Sequence, residues 1–334
     1  MSNLHSNISI FVPHIGCPNM CSFCNQRHIT GKNSAPKPQD VIDAVKVAVA
    51  SPKYNPTTTE IAFFGGSFTA INRTYMQSLL EAAYNFVKEG IVSGIRISTR
   101  PDAIDDEILL FLKKYGVTSI ELGAQSLNDN VLLLNNRGHN SQDVIDASLL
   151  IKKYGFSLGL QMMTGLYGDC DEFAISTAKT IISLKPDTVR IYPTIVLKNT
   201  DLQALYIDNK YKPQTIDEAV NLCSKLLMMF EKENIKVIRL GLHSIEKDSY
   251  IAGPWHPAFS EMCYSKIFLN NAKNILTQKG SYTLYVNPSS VSKMIGQRKA
   301  NLNELKKIGF DCIVKTDNLL TSYEIKAERR YKCF

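Results

Sequence analysis

Cys17-Pro18-Asn19-Met20-Cys21-Ser22-Phe23-Cys24 places three cysteines at C-x3-C-x2-C spacing, just after the apolar run Ile8 to Val12. Three thiolates this close can hold three irons of a [4Fe–4S] cube. No fourth cysteine lies nearby, which would leave one iron open to another ligand. The same triad suits zinc, which prefers four ligands, if His14 or His28 supplies the fourth. On spacing alone both readings stand.

The residues around the triad place it in a fold. Ile8 to Val12 reads as a strand stopped by Pro13, and the cysteine loop runs from there to about Lys37. Further strands are expected at Glu60 to Phe64, Gly94 to Thr99, Thr118 to Leu122, Ser157 to Met163, Thr188 to Tyr192 and Val237 to Leu240. Helical spacing falls between them, at Gln39 to Ala50, Thr74 to Lys88, Asp105 to Tyr115, Ser141 to Tyr154, Glu172 to Leu184 and Ile216 to Glu233. Ser141 is the expected N-cap of its helix. Strands alternating with helices predict βα units and a parallel sheet. Unusual residues recur where strands end: Gly65-Gly66-Ser67, Arg100-Pro101-Asp102, Gly123-Ala124-Gln125-Ser126 and Tyr192-Pro193. In a βα barrel those carboxyl ends form the active face. The cysteine loop also follows a strand end, so all of these are expected at one mouth.

The chain has 334 residues, 44% of them hydrophobic, enough for one large α/β domain and a smaller appendage. It contains no apolar run long enough to span a membrane and no secretory signal, so a cytoplasmic protein is expected. Eight cysteines in a reducing compartment argue for a metal site and buried thiols instead of disulfides. Most of Cys170, Cys223, Cys263, Cys312 and Cys333 are expected in the core, with Cys333 the exception. The formal net charge is +7, and the segment from Val291 to Phe334 holds most of the excess. A basic segment of this kind suggests an anionic partner such as RNA, or a solvated tail.

Several strand-end segments resemble the radical S-adenosylmethionine (radical SAM) superfamily. The cysteine triad, with Phe23 before its last member, looks like that family's cluster motif. Phe64-Gly65-Gly66-Ser67 is similar to its Gly-Gly-Glu element, whose backbone binds the amino group of the methionine moiety; Ser67 stands where the acid would be. Glycines let backbone approach a ligand closely. Gly159 to Asp169 resembles the element near the adenine. Ser98 to Asp102, Glu121 to Ser126, Asn136 to His139, Gln161 to Met163 and Ile191 to Thr194 together look like the radical SAM domain of the Elongator catalytic subunit, which modifies the wobble uridine of tRNA. That subunit spaces its cysteines differently and carries an acetyltransferase domain, so acetyl-CoA chemistry is not expected here.

The resemblance implies a partial (β/α)6 TIM-like barrel over residues 1–245. It also implies a [4Fe–4S] cluster on Cys17, Cys21 and Cys24, and S-adenosylmethionine cleaved reductively to a 5′-deoxyadenosyl radical. Phe23, Gly65, Gly66, Ser67, Gln125 and Gln161 are the expected cofactor-binding residues. Gln125, Arg137 and Tyr192 are candidates for catalytic roles at the mouth. An electron donor such as flavodoxin or ferredoxin is implied. Arg100 with Asp102 reads either as site residues or as a structural ion pair, Glu121 as a ribose ligand or a helix cap, and His139 as a proton carrier or a structural residue.

Beyond Leu240 the pattern changes. Gly253 to Phe259, with the single tryptophan Trp255, reads as packing or as a stacking platform for a base. Residues 246–280 are expected to be a connecting loop and helix, and 281–334 a basic α/β module. Within it, two helices flank Gly296-Gln297-Arg298-Lys299 between strands. This resembles a K-homology module, whose G-x-x-G loop clamps nucleic-acid backbone; Lys299 replaces the second glycine. Lys293, Arg298 and Lys299 are the candidate RNA contacts. The expected function is a radical SAM enzyme acting on RNA, most naturally tRNA. The alternatives are a radical SAM enzyme for a small metabolite such as a porphyrinogen, and a non-enzymatic metal-bearing RNA-binding protein.

Overall fold

The computed structural model describes residues 5–12, 17, 20–25, 35–242, 245 and 247–331. They form two compact units: residues up to Gln214 with Phe230–Gly253, and Thr215–Met229 with the chain from Pro254 onward.

The first unit is built on a parallel sheet of β1 (Ser6–Val12), β2 (Thr59–Gly65), β3 (Gly94–Thr99), β4 (Val117–Gln125), β5 (Ser157–Thr164), β6 (Thr188–Pro193) and β8 (Lys236–Leu240). Strand order is β1-β2-β3-β4-β5-β6-β8, curled into a half-barrel. The expected partial barrel is present, carried to a seventh strand by β8. Helices α1 (Pro38–Val49), α2 (Arg73–Lys88), α3 (Asp106–Lys114), α5 (Ser141–Lys153) and α6 (Asp171–Leu184) connect successive strands. The strands read as near-continuous apolar runs because the barrel buries both faces. Ile61, Ala62 and Phe63 of β2 and Ile120 and Leu122 of β4 are fully buried. The helices bury one stripe, such as Met76, Leu79, Leu80 and Ala83 of α2. Asn72 and Asp105 cap α2 and α3 by accepting from Tyr75 N and Ile108 N. The cap of α5 is Asn140 and not the expected Ser141: Asn140 and Asp143 form a reciprocal capping box. Ser141 N instead donates to Asp129 Oδ1 at 2.7 Å.

Four elements escape the sequence pattern. These are α4 (Asp129–Leu134), α7 (Asp201–Ile207) and the two-stranded antiparallel pair β7 (Val196–Leu197) and β9 (Tyr250–Ala252). Each is too short for its hydrophobic pattern to repeat enough to be recognised.

Four charges lie inside the barrel and are paired across strands. Arg96 Nε donates to Glu60 Oε2 at 2.9 Å, and its Nη1 to Glu121 Oε1 at 3.1 Å. Arg190 Nη2 donates to the same Glu121 oxygen at 2.8 Å. Thr118 and Ser119 hydroxyls donate to Glu60 Oε1, and His5 Nε2 lies 2.8 Å from Oε2. Glu121 is paired with two guanidinium groups and caps no helix among the described residues. Burial pushes the Glu60 pKa up, but His5, Arg96 and Thr118 outweigh it and hold the carboxyl at about 2.

In the second unit, α9 (Phe259–Ile275) packs on a three-stranded sheet of order β11-β10-β12. These strands are β10 (Gly280–Val286), β11 (Phe310–Thr316) and β12 (Ile325–Arg329), with α10 (Val291–Ile295) and α11 (Ala300–Lys307) between the first two. β10 pairs parallel to β11 and antiparallel to β12. The core joins Phe268, Leu269 and Ala272 of α9 to Leu284, Val286, Met294 and Leu305. Residues 246–280, read as a connector, thus contribute a helix to this core. The N-terminal part of α8 (Ile216–Lys232) joins it through Ser224 Oγ, which donates to Cys263 O at 3.1 Å.

Arg96→Met should cost about 3–5 kcal/mol in urea unfolding, because it removes the guanidinium that two buried carboxylates share; a loss below about 1 kcal/mol would contradict this pairing. Glu60 ionises in the fold well below its ordinary 4.5. Its contribution is complete above that value and is lost as pH falls toward 2, on the order of 3 kcal/mol in all. Unfolding free energy should drop across that window in the wild type and much less in Glu60→Gln.

Candidate active site

At the carboxyl ends of the parallel strands lies a cavity of about 670 Å³, lined by Cys17, Cys21, Phe23, Cys24, Gly65, Gly66, Ser67, Gln125, Arg137, Gln161 and Tyr192 among others. Cys17, Cys21, Cys24, Phe23, Gly65, Gly66, Ser67, Gln125, Arg137, Gln161 and Tyr192, the cluster, cofactor and catalytic candidates of the sequence, all line this one cavity. Lys293, Arg298 and Lys299 belong to the second unit.

The cysteine loop is held from two sides. Ser22, 1% exposed, donates its N–H to Asn135 O at 3.1 Å and its hydroxyl to Asn135 Oδ1 at 2.7 Å. Asn135, fully buried after α4, donates through Nδ2 to Val131 O and Tyr167 O. From α7, Leu202 N donates to Ser22 O at 2.8 Å, and Asn25 Nδ2 donates to Lys198 O at 3.0 Å. Cys24 N closes a turn onto Cys21 O. Phe23 packs against Val131, Met163, Leu166 and Tyr192. Sequence reading missed Asn135, because the contact spans 113 residues and sits on a helix too short to be seen.

The glycine element is backbone-built. Gly65 has φ 117°, and a Cβ there would sit 2.4 Å from Val12 O. No other residue type fits without moving the strand end. Gly66 N donates to Val12 O at 2.8 Å. Ser67 is buried, and its Oγ lies 2.8 Å from Thr99 Oγ1 and accepts from Arg100 N. The hydroxyl thus ties the ends of β2 and β3 together.

On the opposite wall, β4 shifts register between Gly123 and Gln125, and Gln125 adopts φ 63°. Gln161 Nε2 donates to Gln125 Oε1 at 3.0 Å. Arg137 Nη2 donates to Gly123 O at 2.7 Å, and Nη1 to Cys21 Sγ at 3.1 Å. Its Nε is buried with no partner among the described residues. His139 Nε2 lies 3.2 Å from Ala124 O, and its Nδ1 faces Arg137 Nη2 at 3.5 Å. Burial first, and then the Arg137 charge, lower the His139 pKa to about 4. The imidazole is therefore neutral near pH 7. Its two ring nitrogens face Arg137 and the Ala124 carbonyl, so the ring packs against the guanidinium.

Arg100 and Asp102 form an ion pair, with Arg100 Nε donating to Asp102 Oδ1 at 2.9 Å. The Arg100 pKa is raised, chiefly by that carboxylate, with a further contribution from Cys17 and Cys21. Arg190, also on the cavity wall, sits over the Phe64 ring at 5.3 Å and donates to Tyr192 OH at 3.5 Å. Sequence reading passed over Arg190 and Arg96. Their signal was a charge in the middle of a strand otherwise buried on both faces. Asp169 accepts from Gly165 N at 3.0 Å and folds its own loop, and burial raises its pKa to about 6.

The donor set fits an iron–sulfur cluster with a chelating amino acid: three thiols, a glycine edge, and a guanidinium with an unused N–H, all on one cavity. Among the described residues no three His, Cys, Asp or Glu side chains group around a single metal ion. His14 and His28 lie outside the described residues. Of the other cysteines, Cys223, Cys263 and Cys312 are buried, whereas Cys170 is exposed at the start of α6; Cys333 lies outside the described residues.

In the second unit, Arg298 and Lys299 are exposed and hold left-handed backbone, φ 48° and 62°. The lysine thus adopts the conformation that a second glycine would have eased. Lys293 Nζ lies 4.7 Å from the Tyr264 ring centroid.

This arrangement defines a class. The Radical SAM superfamily matches residues 11–181, and the Radical SAM C-terminal domain matches residues 186–267. The chain belongs to the radical SAM superfamily and is a radical SAM enzyme. Within that class its core is homologous to the radical SAM region of Elongator-type proteins. The tRNA uridine(34) acetyltransferase of Dehalococcoides mccartyi (strain CBDB1) is 24% identical over 240 residues, covering 62% of this chain and 52% of that protein. Elongator complex protein 3 of Homo sapiens is 28% identical over 192 residues, 51% of this chain and 35% of that protein. The chain thus spans from about a third to about half of these curated relatives. Among solved structures, the archaeal Methanocaldococcus infernus Elp3 with N-terminus deletion shares the fold with a TM-score of 0.65 at 21% identity, over 82% of this chain and 64% of that one.

Asn135→Ala should cost about 1–3 kcal/mol in urea unfolding, since it takes the side-chain partner from the buried Ser22 hydroxyl and from the Tyr167 carbonyl. It should also speed alkylation of Cys21 by iodoacetamide several-fold in the metal-free protein. An unchanged alkylation rate would show that the clamp does not hold the loop.

Proposed function

We propose that this radical SAM enzyme modifies tRNA, using a [4Fe–4S] cluster on Cys17, Cys21 and Cys24 and S-adenosylmethionine. The observation that carries the reading is the convergence of the three thiols, the Gly65-Gly66 edge, Gln125, Gln161 and Arg137 on one cavity at the strand ends. When bound, the cluster and its sulfonium ligand supply one-electron cleavage to a 5′-deoxyadenosyl radical that takes hydrogen from substrate.

The chain's own residues do the rest. Cys17, Cys21 and Cys24 act as thiolate ligands. Gly65 and Gly66 offer backbone to the amino group of the methionine moiety, beside Phe23 and with Ser67 bracing the turn. Arg137 offers its N–H groups to a carboxylate, and His139 keeps that guanidinium in place. Gln125 and Gln161 present amides toward the nucleoside, and Tyr192 bounds the space left for substrate. The Phe11, Phe64, Met163, Ile195 and Leu197 side chains of the same wall exclude water from the reacting groups. A flavodoxin- or ferredoxin-type donor supplies the electron, in the cytoplasm. No helix among the described residues is long and apolar enough to cross a membrane.

Two relatives are named for tRNA uridine modification or for Elongator, and this favours RNA over a porphyrinogen-like metabolite. The exposed Arg298 and Lys299, with Lys293, supply cations for phosphate. Membership of an enzyme family displaces the reading of a bare metal-bearing binding protein.

Comparison of modified nucleosides from cells with and without this gene should show one tRNA nucleoside lost or shifted. An identical tRNA profile with an altered small-molecule pool would favour the metabolite reading. Replacing Lys293, Arg298 and Lys299 together with alanine should weaken tRNA binding and flatten its log–log salt slope by about 2, at roughly 0.7 per phosphate contact on single strands. An unchanged slope would remove these three residues from the interface.

A further inference from the structure

The second unit contains a cavity of its own, about 750 Å³, which the radical site does not use. That volume lies within the roughly 300–1,000 Å³ typical of small-molecule sites. Its apolar walls are Val220 of α8 and Met262 and Leu269 of α9. Its amide groups are Gln297, Asn301 and Asn303. Lys266, Arg298 and Lys307 line it against Asp217 and Glu304, and Lys273 Nζ lies 3.3 Å from Glu304 Oε1. His256 is also on the wall. Its Nδ1 accepts from Ala258 N at 3.0 Å, which leaves Nε2 as the N–H of the neutral ring.

The turn on this wall is rigidly built. Asn301, 5% exposed, donates through Nδ2 to Ser265 O at 2.8 Å and to Lys293 O at 3.1 Å. Ser265 Oγ donates to the same Lys293 carbonyl at 2.8 Å. Gly296 at φ 74° has no room for a Cβ, which would stand 3.0 Å from Asn301 N. These contacts hold Arg298 and Lys299 in left-handed backbone, a conformation that costs a non-glycine residue on the order of 1 kcal/mol or more. Apolar walls beside amide donors and acceptors suit a nucleobase, and fixed cations on the same wall suit its phosphate.

We infer that this cavity takes one unpaired nucleotide of an RNA strand, with its base against Val220, Met262 and Leu269 and its phosphate at Arg298. The inference rests on the RNA reading above and goes beyond surface cations, because it requires the base to enter the unit.

The test uses the full chain and a fluorescein-labelled decauridylate, read by anisotropy. Met262→Trp fills the cavity from a half-exposed helix position. Ala300→Glu sets a carboxylate on the cavity wall while complementing the α11 dipole, so the helix is not weakened. Each should weaken binding at least tenfold. If both bind within twofold of wild type while Arg298→Ala/Lys299→Ala loses affinity, the cavity inference is overturned and the RNA reading survives. If the wild-type chain binds no decauridylate, both fail. Equal competition by a duplex of the same length would overturn the unpaired nucleotide. Displacement by micromolar uridine monophosphate would assign the cavity to a free nucleotide and overturn the RNA assignment.

Discussion

A charge buried inside a parallel barrel must find its counter-charge across the strands, and the first unit is arranged around that requirement. Glu60, Arg96, Glu121 and Arg190 sit on β2, β3, β4 and β6 and close into one network. Removing any member strands a partner in a poorly solvated interior. The network therefore favours one register among strands that otherwise present interchangeable apolar side chains. From Glu121 the same strand runs on to Gly123, whose carbonyl holds Arg137, which in turn donates to Cys21. Arg190 carries the network to Phe64, next to Gly65. The barrel interior and the cysteine loop are thus linked through two strand ends.

The barrel was legible in the chain because alternating βα units have few ways to close. The order of strands followed from the order of apolar runs, and the common mouth from the residues that end them. Gly65 was legible as a close backbone approach, and the three cysteines as thiols gathered at one strand end, because local spacing displays both. The support of the loop was not. Ser22 meets Asn135 across 113 residues, and the elements that carry the contact, α4 and α7, are too short for a period to show. Glu121 and His139 were visible but ambiguous, because their partners are distant in sequence or come from packing. Two arginines within buried strands pair with the first. The second is buried against Arg137. In the second unit the strand and helix order was readable, but the contribution of α9 to its core depends on packing that no local pattern displays.

The two units divide the chemistry. One gathers thiols, glycines, amides and a guanidinium on a cavity suited to a radical cofactor. The other gathers cations, amides and apolar walls on a rigid turn suited to a nucleotide. The curated relatives are longer, and this chain matches about a third to about half of their length.

The central claim is that the C-x3-C-x2-C loop supports reductive cleavage of S-adenosylmethionine. The most direct measurement is anaerobic reconstitution with iron and sulfide, reduction with dithionite, and quantification of 5′-deoxyadenosine. The reconstituted protein should be brown and form 5′-deoxyadenosine, and it should be colourless and inactive when Cys17, Cys21 and Cys24 are replaced together by alanine. A reconstituted wild-type protein that binds S-adenosylmethionine and leaves it intact, or equal cleavage by the triple variant, would contradict that claim.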